Sequence, residues 1–409
     1  MKQGWEIKKL SEIGKIFNGN SINEKVKKDK YTNLDDGLPY IATKDVGFDS
    51  QINYQNGVSI PFNEIYQFKI APSNTTLICA EGGSAGRKIG FTNQDVCFGN
   101  KLFALVPNKN VDSKYVFYYY FTSSFQKHFS TEMAGIIGGV SMNKFKDIEI
   151  PLPPLSEQQR IVSILDEAFA AITSAKANAE QNLHNAKDLF ESYLQGVFEN
   201  GNWETKRLGD LSERVSVGHV GETSKFYCDS DIGVPFLRSQ NVRSGYLDLK
   251  GLQYITPEFH ESLKKSQLKK NDILFVRVGA NRGDCCVVKE DFNKLNCANI
   301  VFARLKEGDV DYIDRYCQSL VGRKQLLGMS VGAAQGVINT KSVAELRIPF
   351  PPLNEQQAIV RQLDALRAET QKLEVVYQKK IDDLEELKKS VLQKAFAGEL
   401  QTSKVEVMV

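Results

Sequence analysis

The sequence lacks an excess of charge of either sign. Its 409 residues carry 52 Lys and Arg against 50 Asp and Glu, so the formal net charge is +2. This balance excludes a histone-like polycation and an acidic disordered chain. It does not exclude a nucleic-acid-binding protein, because local basic faces matter more than the total charge. No run approaches 18 consecutive apolar residues, so no membrane-spanning helix is predicted.

The sequence also lacks the cysteine and histidine patterns that form disulfide frameworks or hold metals. Its seven cysteines are odd in number and include no Cys-x-x-Cys spacing, and its four histidines are scattered. Together with a polar N-terminus, these features predict a reduced, cytoplasmic protein with no metal site.

Catalytic motifs are missing as well. The chain contains neither a Gly-x-x-x-x-Gly-Lys-Ser/Thr phosphate loop nor the Asn/Asp-Pro-Pro-Tyr tetrapeptide of amino-methyltransferases. A chain of this length without a recognisable catalytic set favours a binding or scaffolding subunit over a stand-alone enzyme, so no catalytic residue is predicted.

The most informative feature present is an internal repeat. Trp5 and Trp203 lie 198 residues apart, and so do Pro-Leu-Pro-Pro-Leu-Ser-Glu-Gln-Gln (151–159) and Pro-Phe-Pro-Pro-Leu-Asn-Glu-Gln-Gln (349–357). Between these anchors the offset drifts by one or two residues, as loop insertions within one fold would cause. The chain is therefore predicted to be a tandem duplication of two units, too few for a solenoid.

Each unit begins with short apolar runs, glycine-rich turns and short helical segments, which predict an α+β domain. A long helix follows the prolines that close each domain. The predicted organisation is a first domain at 1–154, a central helix at 155–200, a second domain at 201–352, a C-terminal helix at 353–400 and a tail at 401–409.

Both long helices carry apolar or small residues at heptad spacing, which is typical of coiled coils. We predict that the two helices pack on each other as an antiparallel coiled coil, which would relate the two units by a pseudo-twofold axis. The alternative is that each helix lies on its own domain as a single amphipathic helix. The predicted seam consists of Ile161, Leu165, Ala168, Ile172, Ala175, Leu189, Ile359, Leu363, Leu366, Leu373, Leu384 and Leu387.

Two polar, basic loops recur at equivalent positions in both units and are candidates for DNA contact. Arginine, asparagine and glutamine are the side chains that read guanine and adenine edges, and glycine lets backbone approach a phosphate. Simple solubility is the alternative explanation of the modest basic excess. The candidate residues are Lys44, Arg87, Lys88, Asn143, Lys144, Arg238, Gln240, Asn241, Arg243, Arg277, Asn281, Arg282, Asn339 and Lys341.

Taken together, the sequence resembles the specificity subunits of type I restriction–modification enzymes. The resemblance rests on the paired Trp-Glu-x-x-x-Leu starts, the two Pro-Pro-Leu-x-Glu-Gln-Gln junctions and the heptad helices that follow them, and it spans essentially the whole chain. It implies two target-recognition domains, each reading one half of a bipartite, asymmetric double-stranded DNA sequence, held apart by the coiled coil.

The resemblance also implies partner subunits and their cofactors. Two methyltransferase subunits carrying S-adenosylmethionine, and restriction/translocase subunits using ATP and Mg²⁺, would dock on this chain, which would itself hold no cofactor and contact no membrane. Two other hypotheses remain open at this point: a coiled-coil adaptor whose domains bind protein, and an enzyme with an unrecognised active site.

Overall fold

The computed structural model describes residues 4–34, 36–134, 138–328 and 336–400. Within it the chain divides into two units. The first consists of the residues up to Ala179 together with those from Lys379 onward, and the second runs from Glu180 to Gln378. The predicted tail at 401–409, and Gly135 and Gly332 of the second candidate loops, lie outside the described residues.

The described residues of the first repeat form ten strands and six α-helices. The strands are β1 Glu6–Lys9, β2 Gly14–Asn18, β3 Leu38–Ile41, β4 Ser59–Ile60, β5 Ile70–Ala71, β6 Thr76–Cys79, β7 Ile89–Phe91, β8 Val96–Phe98, β9 Leu102–Pro107 and β10 Glu149–Leu152. The helices are α1 Leu10–Ile13, α2 Glu24–Lys30, α3 Ser113–Tyr119, α4 Ser123–Thr131, α5 Met142–Asp147 and the long α6 Leu155–Asn200.

The second repeat follows a similar order of elements, without counterparts of α2 and β5 and with the added strands β14 and β15 and helix α8. Its strands are β11 Thr205–Arg207, β12 Ser212–Val217, β13 Val234–Arg238, β14 Val242–Arg243, β15 Tyr246–Leu247, β16 Gln253–Ile255, β17 Ile273–Val276, β18 Cys285–Val287, β19 Asn296–Ala298, β20 Ile300–Leu305 and β21 Arg347–Pro349. Its helices are α7 Leu208–Leu211, α8 Pro257–Ser262, α9 Val310–Gln318, α10 Leu320–Gly328, α11 Thr340–Ala344 and α12 Leu353–Ala397.

Each repeat builds the same sheets. A four-stranded antiparallel sheet has the order β2-β9-β6-β7 in the first repeat and β12-β20-β17-β18 in the second. A mixed sheet of four strands is centred on β3 and β8 in the first repeat, and one of three strands is centred on β13 and β19 in the second; both central pairs are parallel. The strand at the start of each domain pairs with the strand before its long helix. These observations confirm the prediction of two similar α+β domains.

Equivalent side chains close the same junction within each unit. Tyr115 donates a hydrogen bond to the Pro151 carbonyl at 2.6 Å, and Tyr312 donates to the Pro349 carbonyl at 2.8 Å. Both tyrosines are fully buried and anchor a helix of the domain to the strand that precedes the long helix. This equivalence gives the sequence repeat a physical basis, because the repeated residues close the same structural junction.

The first glutamine of each Glu-Gln-Gln motif is a second such junction. Gln158 accepts a hydrogen bond from the Asp112 amide at 2.8 Å and donates one to the Pro153 carbonyl at 2.8 Å. Gln356 makes the same two bonds to Asp309 and Pro351, both at 2.8 Å. Asp112 and Asp309 in turn cap α3 and α9.

The long helices pair antiparallel within each unit. In the first unit, Lys388 lies over the Phe169 ring and Lys176 pairs with Glu385. The residue numbers of the contacts decrease along α12 as they increase along α6, so the helices are antiparallel. In the second unit, Arg367 lies over Phe190 and Tyr193 bonds Gln362 in the same sense. Leu392 and Ala395 of α12 are buried in the core of the first unit.

Of the two heptad series in the predicted seam, the one that contains Leu165, Ile172 and Leu363 is the better buried. Ile161, Leu165, Ile172, Ile359 and Leu363 are buried, whereas Ala168, Ala175, Leu366 and Leu384 are half-buried. The prediction is wrong for Leu189, Leu373 and Leu387, which are between 41% and 49% exposed. A helix with 3.6 residues per turn drifts by about 20° per heptad from a strict 3.5-residue repeat, so one series rotates towards solvent. Ala179 and Ala186, which continue the heptad series of Leu165 and Ile172, are buried as that series predicts. Buried positions outside the predicted seam are Phe190, Leu194 and Ile381.

Among the described residues, no helix is long and apolar enough to span a bilayer.

Candidate nucleic-acid interface

The first candidate loop of the second unit is a tight hairpin that follows β13. A 3₁₀ turn at Ser239–Asn241 leads into β14 and β15, which pair Val242 with Leu247 and Arg243 with Tyr246. Asn241 is fully buried; it accepts a hydrogen bond from the Arg238 amide at 3.0 Å and donates one to the Asp248 carbonyl at 2.8 Å. Asn241 therefore shapes the loop from within, whereas Gln240 beside it is exposed.

The equivalent loop of the first unit begins with the same kind of hydrogen-bonded 3₁₀ turn. Asp45, in a 3₁₀ turn at Thr43–Asp45, accepts a hydrogen bond from the Ala42 amide at 2.8 Å, as Asn241 does from Arg238. A bridge between Val46 and Ile52 closes the hairpin, and its tip carries Phe48. Lys44 is exposed beside it.

The hairpin contacts the glycine-rich turn in the first unit, and in the second unit it contacts β18, the strand that directly follows the turn. In the first unit, Lys88 donates to the Thr43 carbonyl at 3.1 Å, and Arg87 and Lys88 lie 5.0 and 5.2 Å from the centre of the Phe48 ring. In the second unit, the Gly245 amide of the hairpin donates to the Cys285 carbonyl at 2.8 Å. The structure thus brings together the loops that the sequence analysis proposed separately.

The tips of these turns are open. Gly82 and Gly279 have φ values of +80° and +97°, a region that favours glycine, and a Cβ added at either would meet no atom of the described residues within 4 Å. Backbone at both positions is accordingly free to approach a ligand.

The cations of these loops are not neutralised by acidic side chains. Within the described parts of the chain, the following residues make no ion pair: Lys44, Arg87, Lys88, Arg238, Arg243, Arg277 and Arg282. The Nε atoms of Arg238 and Arg277 are buried with no hydrogen-bond partner among the described residues, although Arg238 lies 5.9 Å from the centre of the Tyr227 ring. Arg282 donates to the Gly336 carbonyl and Asn281 is half-buried nearby.

The second candidate loops touch the glycine-rich turns from the other side. The Gly82 amide donates to the Gly138 carbonyl at 2.7 Å, and the Ile338 amide donates to the Arg277 carbonyl at 3.1 Å. The candidate residues themselves are varied. Asn143 and Lys341 are exposed, Lys144 pairs with Glu132 at 2.9 Å, and Asn339 caps α11 by accepting from the Ser342 amide at 2.9 Å.

Sequence reasoning missed the aromatic tips of the two hairpins. Phe48 is 61% exposed and Tyr246 is 58% exposed. A signal for them was present, because each follows a glycine in a polar stretch, Gly47-Phe48-Asp49 and Gly245-Tyr246-Leu247. A single exposed aromatic residue is common on protein surfaces. The two residues are therefore recognised as equivalent only when the hairpins of the two units are compared.

The buried titratable groups of the second unit lie behind this interface. Burial raises the pKa of Asp314 on α9 to about 7, and its Oδ1 has no hydrogen-bond partner in the described structure. Cys285 lies close by, with its thiol directed at the Asp314 carbonyl. No cluster of three or more potential His, Cys, Asp or Glu metal ligands occurs in the part of the chain that the structure describes.

The fold and loops define a tandem-domain protein with a cationic loop surface in each unit, built on two long helices that pair antiparallel within each unit. Comparison with known families identifies it further. The sequence profile described as the type I restriction modification DNA specificity domain matches residues 2–183 and again residues 200–382. The chain belongs to this family, and the two matches coincide with the two repeats.

Curated relatives cover nearly the full chain. The EcoKI specificity subunit of Escherichia coli K12 is 28% identical over 98% of this chain and 90% of its own length. The EcoBI specificity subunit of Escherichia coli is 25% identical over 97% of this chain and 86% of its own length. The predictions of a specificity subunit and of a non-catalytic chain are thereby confirmed.

Solved structures share the fold. A chain from a type I R-M system superimposes with a TM-score of 0.76 at 18% identity, covering 98% of this chain and 99% of that one. The HsdS subunit from Thermoanaerobacter tengcongensis superimposes with a TM-score of 0.64 at 18% identity, covering 98% of each chain.

Proposed function

We propose that this specificity subunit reads a bipartite DNA target, with one domain on each half-site. The observation that carries the proposal is the repetition of one cationic surface, a hairpin against an open glycine-rich turn, in both units. In the second unit this surface carries Arg238, Arg243, Arg277 and Arg282, none of which makes an ion pair in the described structure. Arginine is the side chain that most often reads guanine, and cations without acidic partners are available to phosphates.

The two half-sites are proposed to differ in sequence. Lys44 is exposed where the second unit has Gln240, and the first unit has Arg87 and Lys88 where the second has a turn bearing Arg277 and Arg282. Because base discrimination follows side-chain chemistry, two different sets of side chains select different bases. An asymmetric target follows.

The partners we propose are methyltransferase subunits that supply S-adenosylmethionine and restriction subunits that use ATP and Mg²⁺. A family of specificity subunits acts with catalytic partners, and the two long helices expose side chains along much of their length that are available for docking. A cytoplasmic location is proposed on the ground that all seven cysteines are free, as in a reducing compartment.

The test is base-resolution mapping of N6-methyladenine in the host genome with this gene intact, deleted and restored. We expect one bipartite motif to lose methylation on deletion and to regain it on restoration. Restoring the gene with Arg238→Ala and Arg243→Ala is expected to relax or abolish recognition of one half of the motif only.

A matched control is Arg347→Ala, which removes an exposed arginine of the same unit outside the loops. It is expected to restore methylation fully. Unchanged methylation after deletion of the gene would contradict the proposed function. Equal loss of sequence recognition at both halves of the motif in the Arg238/Arg243 variant would contradict the assignment of one domain to one half-site.

A further inference from the structure

Both units hold an aromatic ring in solvent at the tip of the equivalent hairpin. Phe48 lies in the tip closed by the Val46–Ile52 bridge, and Tyr246 lies in the tip closed by the Val242–Leu247 pair. The rings do not occupy the same position in the repeat, since Phe48 corresponds to Ser244. The aromatic tip is thus present in both units although the residue that provides it differs.

Neither ring is on a loose loop. Gly47 donates to the Gln51 carbonyl at 2.8 Å across the first tip, and Gly245 donates to the Cys285 carbonyl at 2.8 Å beneath the second. The buried Asp45 and Asn241 fix the start of each hairpin. A ring held this way keeps its place without packing into a core, so little conformational entropy is lost when it contacts a ligand.

Cations flank each ring. The charges of Arg87 and Lys88 lie within 5.2 Å of the centre of the Phe48 ring, and Arg243 is the cross-strand neighbour of Tyr246. An aromatic ring beside cations and open backbone is the combination that stacks on a base while neighbouring charges hold the adjacent phosphates.

We infer that Phe48 and Tyr246 are DNA-stacking residues, each placing its ring against bases of the half-site that its domain reads. This inference rests on the proposed function. An enzyme that modifies a base in a duplex must take that base out of the stack, which leaves an unstacked step. A rigid aromatic ring in each domain would stack on a base exposed at such an unstacked step and so stabilise the distorted DNA in the complex.

The experiment uses the full chain, purified with the subunits that bind it in its host, and a duplex carrying the motif found by methylation mapping. The variants are Phe48→Ala and Phe48→Trp, with Phe62→Ala as a control because Phe62 is 54% exposed in the same unit but away from the loops. Loss of one stacking contact is expected to weaken binding about 5- to 150-fold in Phe48→Ala. Phe48→Trp and Phe62→Ala are expected to bind as the unaltered protein does.

Two further readouts separate stacking from charge. Because no charge is removed, the dependence of binding on salt is expected to be unchanged in Phe48→Ala. With 2-aminopurine at the base that the ring contacts, the quenching that stacking causes on binding is expected to be lost in Phe48→Ala, and Tyr246→Ala is expected to act in the same way at the other half-site.

The outcomes are distinguishable. Specific binding by the unaltered protein with no effect of Phe48→Ala, or with an equal effect of Phe62→Ala, would overturn the inference and leave the proposed function standing. Absence of specific binding by the unaltered protein would overturn both. A weaker Phe48→Trp variant, comparable with Phe48→Ala, would also overturn stacking as the role of the ring.

Discussion

The buried side chain of Gln356 accepts a hydrogen bond from the backbone amide of Asp309, and this contact joins the start of α12 to the start of α9. Gln158 and Asp112 form the same contact in the first unit. The glutamine amide thus fastens each α+β domain to the long helix that follows it, which explains why the motif recurs at the same offset as the domain itself.

Removal of this amide is expected to destabilise one unit selectively. Gln356→Ala leaves the Asp309 amide and the Pro351 carbonyl without their partner, at a cost of about 1–3 kcal/mol. Urea unfolding followed by tryptophan fluorescence in a Trp5→Phe background reports on the second unit, because Trp203 packs on its core and the chain has only two tryptophans. Gln357→Ala, which alters the exposed neighbour, is the control and is expected to leave the midpoint unchanged.

The helix pair is expected to depend on its buried alanines. Ala179 is 2% exposed, so Ala179→Glu would place a charge between the helices and lower the melting temperature by at least about 5 °C. Ala177 is exposed two residues earlier, and Ala177→Glu is expected to have little effect. Equal melting temperatures for the two variants would contradict the packing of the helices at Ala179.

Asp314 is expected to make the stability of the second unit fall as the pH rises. Burial holds its pKa near about 7 in the folded state, while an unfolded aspartate titrates near about 4, so only the folded state binds the proton between these values. Unfolding free energy is therefore lost through this window, by up to about 4 kcal/mol.

The measurement compares urea midpoints at pH 5 and pH 8 by Trp203 fluorescence. Asp314→Asn is expected to be more stable than the unaltered protein at pH 8 and to differ less from it at pH 5. Asp291→Asn, at an exposed carboxylate, is the control. A gap between Asp314→Asn and the unaltered protein that is the same at both pH values would contradict the assignment.

The cations of the first unit are expected to contribute to binding through phosphates. Replacing both Arg87 and Lys88 by alanine is expected to reduce the slope of log K against log salt by up to about 2 units. The exposed lysines Lys25 and Lys28 of α2 provide a matched double variant that is expected to keep the original slope. A slope unchanged by the Arg87/Lys88 substitutions would show that these side chains do not touch the DNA backbone.

Much of the fold was predictable because the repeat supplies its own internal comparison. The starts of α6 and α12 follow from the Pro-Pro pairs. Because a proline disfavours helical backbone in the residue before it, each helix can begin only after the second proline of its pair. Exposure of Leu189, Leu373 and Leu387 was not predictable from heptad spacing, because the spacing does not say how far each helix unwinds to follow its partner.

The candidate site was predictable as a set of loops but not as individual contacts. Arginine and glycine content identified the loops at 238–243 and 277–282, and the structure places the hairpins and turns side by side. The burial of Asn241 and the capping role of Asn339 depend on local hydrogen bonds that composition does not reveal. The aromatic tips were missed because Phe48 and Tyr246 do not align in the sequence repeat. Their equivalence is visible only when the hairpins of the two units are compared as structures.

The first unit is discontinuous in the chain, and this has a consequence for synthesis. Leu392 and Ala395 complete its core, yet they are synthesised only after the whole of the second unit, which is one uninterrupted segment. The domain that is translated first is therefore the one whose core closes last. Until Leu392 and Ala395 have emerged, part of that core is unfilled, and a nonsense mutation just after the second unit would damage the unit that begins before it.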